Sequence, residues 1–227
     1  MDTQTIHNEH LDVELDPQTM KLIITHRRAG LRWALGPDDE ADLGVVHGDT
    51  QSSAMLADAR GREVHRYATL REECLTCLLK DLPGGTALSI TIAVPANAEH
   101  MRVTVAPSYT TSASRVAEVR YPGPARLLND DVEYTVWPNG AGMIIPARHD
   151  QEIRAEMSDY ETQVKDLPYA IAYSWHLYQP WWGVVGRAGG YMAIAETPFD
   201  FALQLHHPRG GPTKTRPVWA ASLGRLG

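Results

Sequence analysis

The chain has 227 residues, 43% of them hydrophobic, which is enough apolar material for a sizeable core and leaves disorder without support. Its formal net charge is -7 and no run of Lys or Arg forms a stripe, so nucleic acid and anionic membrane surfaces are poor partners. The polar, acidic start "MDTQTIHNEHLDVELD" has no apolar signal-peptide core, and no stretch approaches a membrane span. The expectation is a cytoplasmic protein that needs no cofactor.

Period-two alternation recurs from end to end. "DVELD" and "MKLIITH" read as a hairpin around Pro17-Gln18, and "LRWALG" follows with Leu31 and Trp33 alternating against polar neighbours. "EVHRYATL" pairs with "CLTCLLKDL". The latter contains Cys74 and Cys77, the chain's two cysteines, in a C-x-x-C spacing. Zinc would need a second pair of ligands, and a strand points these two positions to opposite faces, so they read as small packing residues. "TALSITIAVP" places Leu88, Ile90, Ile92 and Val94 on one face, and "MRVTVAP" repeats the pattern.

In "EYTVWPNGAGMIIPARHD", Asn139-Gly140 is a strong two-residue turn signal, with Gly142 just beyond it. A turn centred there pairs Val136 with Met143 and Tyr134 with Ile145 on one apolar face. The other face then sets Trp137 over Gly142 and Thr135 against Ile144. "DQEIRAEMSDYETQ" offers Ile153, Met157 and Tyr160 at helical spacing, the best helix in the chain. "YAIAYSWHLYQ", "GYMAIAE" and "FDFALQLHH" return to strand, and "GRAGG" at 186–190 reads as a hairpin turn. With about a dozen or more strands and one or two short helices, the fold class is all-β, a large antiparallel β-sandwich. No linker or repeat is visible, so residues 1–227 read as a single domain.

Few constellations carry chemistry. His206-His207 has no third ligand at a useful spacing, so no metal site is expected. "YQPWWG" sets two tryptophans side by side, so Trp181 and Trp182 face opposite ways. One of them is available to stack on a sugar or to bury at an interface. "ETPFD" brings Glu196 and Asp200 to one turn. With Asn139 these are the candidates for carbohydrate contact, since a sugar platform needs polar groups beside its aromatic face. Neither carboxylate is assigned a catalytic role, since Asp200 and Thr197 serve a turn equally well.

Two segments resemble a known family. "YTVWPNGAGMIIPARHD" is similar to a tyrosine, Pro-x-Gly-x-Gly, apolar-apolar-Pro pattern in the N-terminal sandwich of certain glycoside hydrolases. "GGYMAIAETPFDFALQL" resembles a later strand and turn of that domain, and "VWAASLGRLG" looks like its crossing into the catalytic barrel. The relatives are the large α-N-acetylgalactosaminidase-type enzymes, whose first domain is a galactose-mutarotase-like supersandwich followed by a (β/α) barrel. The resemblance implies that the acid and nucleophile belong to the barrel, so the chain as given is expected to be inactive and cut before its catalytic domain.

The leading expectation is a non-catalytic N-terminal domain that braces the barrel and helps line the carbohydrate cleft. The alternatives are a mutarotase-like sugar epimerase and a free carbohydrate-binding module with Trp181 and Trp182 as its platform. The expected partners are carbohydrate, the chain's own C-terminal domain, and a second copy docked through exposed apolar surface. On the severed-domain reading, Trp219 and one of Trp181 or Trp182 lie exposed.

Overall fold

The computed structural model describes the chain except residues 1, 39–40, 48–49, 110–113, 138–142, 149–152, 159–169, 173–179, 198–200, 208, 210–212 and 221–227. The described residues gather into two compact units, Met1–Gly123 and Pro124–Gly227, although the sequence carries no linker between them. Strand dominates both. Among the described residues only two short 3-10 turns occur, at Leu56–Asp58 and Pro83–Gly85, so the fold is all-β. No helix among them is long and apolar enough to cross a membrane.

The first unit holds β1 (Gln4–His7), β2 (Leu11–Asp16), β3 (Lys21–His26) and β4 (Leu31–Leu35), paired antiparallel in chain order. β5 (Leu43–His47) and β6 (Thr50–Ala54) form a hairpin. β7 (Gly61–Ala68), β8 (Glu72–Leu82), β9 (Thr86–Pro95) and β10 (Arg102–Tyr109) make an antiparallel meander, and β11 (Ser114–Val119) pairs with β5. The alternation explains the burial. Leu11, Val13 and Leu15 are the buried residues of β2, while Leu88, Ile90, Ile92 and Val94 are fully buried on β9. On the opposite face of β9 Ala87 and Ala93 are buried, while Ser89 and Thr91 between them are half-buried. Arg62 of β7 donates to the carbonyls of Pro17 (2.7 Å), Leu56 and Ala57, tying the meander to the β2–β3 turn.

Cys74 and Cys77 are free, buried thiols whose cross-strand partners on β9 are Ala93 and Ile90. Burial pushes Cys77 up to about 11 and also raises Cys74. In the second unit, burial pushes Tyr191 up to about 12. Each group is held protonated by the fold, so the unfolded chain ionises first as pH climbs. The stability they confer is therefore complete below about pH 9 and is lost as pH rises through about 11 to 12. Urea midpoints measured across that window should fall steadily, and neither thiol should react with an aromatic disulfide at neutral pH without denaturant. Prompt labelling of the native chain would contradict this placement.

The second unit contains β12 (Arg126–Leu127), β13 (Val132–Trp137), β14 (Met143–Pro146), β15 (Ile153–Ser158), β16 (Ala170–Ala172), β17 (Trp181–Gly186), β18 (Gly190–Ile194), β19 (Phe201–His207) and β20 (Lys214–Ala220). One sheet runs β14-β13-β17-β18 and a second run of strands is β16-β15-β19-β20. Two expectations are corrected here. Residues 153–158 form a strand, antiparallel to β19 and parallel to β16, rather than a helix. Ile153 and Met157 fit helical spacing, but with Ala155 between them they also fit strict alternation, and partners on both sides decide for the strand.

The second correction is the β13–β14 register, which is one residue from that of a turn centred on Asn139-Gly140. Trp137 stands opposite Met143, Thr135 opposite Ile145 and Val136 opposite Ile144. The inward face is Thr135, Trp137 and Ile145, while Ile144 is 66% exposed. Burying an indole removes more apolar area from water than burying Val136, so the face carrying Trp137 turns inward. Asn139, Gly140 and Gly142 lie outside the described residues.

Candidate functional site

The inner face of the β14-β13-β17-β18 sheet forms a core cluster of Trp137, Ile145 and Trp182 with Phe201, Leu203 and Leu205 of β19. Trp182 and Phe201 stack with centroids 5.5 Å apart at 18°. The Trp182 Nε1–H donates to Tyr191 Oη at 3.2 Å. One face of that indole is covered and its only polar atom is satisfied, so Trp182 acts as core rather than as a platform for sugar.

Trp181 points the other way, as the sequence requires of adjacent strand residues, and is half-buried opposite Ile194. Glu196 is exposed two residues beyond the Trp181–Ile194 pair that ends the β17–β18 ladder, and between them Ala195 N–H donates to Pro180 O at 2.8 Å. The structure thus brings Trp181 and Glu196 to the same end of one sheet. Asp200 and Asn139 lie outside the described residues. Trp219 is half-buried opposite Phe201, so Trp181 and Trp219 are neither openly exposed nor fully buried.

The remaining sequence candidates resolve into structure. "GRAGG" is the β17–β18 hairpin turn, closed by Gly186 N–H donating to Gly189 O at 2.8 Å. Asp130 accepts from the Ala188 and Asp131 amides, which hold its carboxyl below the usual carboxylate range. His207 is fully buried, with Nδ1 2.7 Å from Thr213 Oγ1. Among the described residues no group of three or more His, Cys, Asp or Glu is placed to hold a metal ion.

One feature was not anticipated. The first unit contains an open cleft of about 380 Å³ whose lining includes His7, Asn8, Glu9, Glu72 and Glu73. Three carboxylates in a cleft invite a catalytic reading, but each is engaged. Glu72 pairs with Arg102 at 2.9 Å, and Glu9 with His10 at 3.1 Å. Glu73 accepts from the His7 amide at 3.0 Å and meets Arg66 at 3.4 Å. Asn8 donates to the carbonyls of Pro95 and Ala98 and accepts from the amides of His10 and Leu11. The cleft is a cross-linked seam between strands.

No protein-family model matches the chain, and no curated protein matches it in sequence. Solved structures do match. The chain is similar to α-N-acetylgalactosaminidase NagBb from Bifidobacterium bifidum, both as a quadruple mutant and as its GalNAc complex, each with TM-score 0.75 and 20% identity. The ligand-free form gives 0.72 at 20% identity. In each case the likeness covers 98% of this chain and 34% of the other, so the chain spans about a third of the length of the structures it matches. What they share at this identity is the fold.

Proposed function

We propose that this chain is a non-catalytic β-sandwich domain of a glycoside hydrolase, of the galactose-mutarotase-like supersandwich type, that braces a separate catalytic barrel. The observation that supports this reading is the match of 98% of the chain to about a third of an α-N-acetylgalactosaminidase. A second observation agrees with it. Glycoside hydrolysis requires two carboxyl groups, about 5 Å apart for retention or about 6.5–9.5 Å for inversion, with one available as acid. Within the described cleft Glu72 and Glu73 are each held by an arginine, and Glu73 also by the His7 amide, which suits cross-linking better than proton transfer.

The chain by itself should therefore hydrolyse no glycoside. Incubation with a panel of aryl α- and β-glycosides, including N-acetylhexosaminides, should give rates equal to a heat-killed control. Turnover well above that control, abolished by Glu196→Gln, would overturn the non-catalytic reading.

A further inference from the structure

The outer face of the β14-β13-β17-β18 sheet is apolar from one edge to the other. One row of cross-strand neighbours runs Ile144, Val136, Gly183, Met192 across all four strands. Tyr134 and Val185 lie on one side of that row, and Trp181 with Ile194 on the other. None of these residues is charged. Ile144, Met192 and Ile194 are 66%, 62% and 60% exposed, making this face home to half of the six exposed large hydrophobics among the described residues. A sheet with one face in water alternates apolar inside with polar outside. This sheet instead carries Trp137, Ile145, Trp182 and Val184 inside and an apolar row outside, the pattern of a layer covered on both faces. Charge is confined to the ends, with Glu133 and Arg187 3.9 Å apart at one and exposed Glu196 at the other. An apolar centre with a charged rim is the anatomy of a protein interface.

We infer that this face is a docking surface for polypeptide joined to the same chain, a further domain of the longer hydrolase; the inference rests on the functional reading above. Area favours a tethered occupant over a second copy. Four strands about 4.8 Å apart, covered over three or four residues each, offer roughly 200–300 Å², against about 800 Å² per partner in a stable complex. A covalently joined domain binds at high effective concentration and needs far less. The solved structures carry this fold within a chain of which about two thirds lies outside the match, since the match covers 34%. Sugar is a poor occupant, because the exposed side chains are aliphatic while Trp181 and Tyr134 are half-buried.

Peroxide oxidation of Met192, read by mass spectrometry, tests the surface. The 227-residue chain is compared with the product of the complete reading frame that contains it, with fully buried Met20 as the internal reference. Met192 should oxidise readily in the shorter chain and at least about tenfold more slowly in the complete product. The double variant Met192→Glu with Ile194→Glu should leave the melting midpoint of the shorter chain unchanged and lower that of the complete product. Equal oxidation in both, a reading frame that stops at Gly227, or a concentration-dependent dimer of the shorter chain that the double variant dissolves would each overturn the inference. Glycosidase assays on the complete product separate the two readings. Activity with Met192 unprotected sinks the docking face alone, and protection without activity sinks the hydrolase reading alone.

Discussion

Replacing Trp137 with alanine is expected to lower the stability of the chain by about 3–5 kcal/mol, the range for deleting a buried indole from a packed core. Trp137 is 1% exposed and belongs to the cluster that joins β13, β14 and β17 to β19. Its loss leaves a cavity beside the Trp182–Phe201 stack, and those rings are too large to refill it without leaving their rotamers. The register of β14 supplies an internal control. Ile145 is 4% exposed on the inner face, so Ile145→Ala should cost about 2–5 kcal/mol. Its neighbour Ile144 is 66% exposed, so Ile144→Ala should stay within about 0.5 kcal/mol. Urea unfolding followed by circular dichroism reads all three. If Ile144→Ala costs more than Ile145→Ala, the inward face of the hairpin has been assigned the wrong way round.

That pair of isoleucines marks where the sequence stopped being legible. Strand content was readable because residues 86–95 alternate strictly, and β9 buries every residue of its large-side-chain face. That one of Trp181 and Trp182 faces inward was equally readable, since adjacent strand residues diverge. Which one does so depends on the pairing of β17 with β13, where Gly183 stands opposite Val136, and no local signal sets that register. Asn139-Gly140 misled for a related reason, because a turn motif specifies a loop only when the facing strands can both bury their better face. Ile153 and Met157 satisfied two periods at once, and only long-range pairing with β19 and β16 removed the ambiguity. The cleft of the first unit was invisible because its walls come from positions 7–9, 27, 69, 72–73, 94 and 96, which no short motif connects.

A second large effect is expected where the chain passes Gly123. Gly123→Ala should destabilise by about 2–5 kcal/mol, combining about 1–2 kcal/mol for a left-handed backbone with about 1–3 kcal/mol for overpacking. The residue has φ +80°, and a Cβ there would overlap the carbonyl oxygen of Gly36 and lie 2.6 Å from its carbonyl carbon. Backbone cannot swing aside as a side-chain tip can, and Gly36 is itself confined. A Cβ on Gly36 would lie 2.8 Å from Lys21 Cα, at a φ of +144°. Three segments therefore meet backbone to backbone: the start of β3, the residue after β4, and the chain beyond β11. Relief at one contact tightens the next. Gly30 isolates the steric part, because its φ is +66° yet nothing lies within 4 Å of where its Cβ would stand. Gly30→Ala should show only the left-handed cost of about 1–2 kcal/mol. Denaturant midpoints of the two variants give the difference directly, and a Gly123→Ala chain that fails to fold while Gly30→Ala folds carries the same meaning. Equal losses at both sites would show that the Gly36–Gly123 approach is not a close backbone contact in the folded chain.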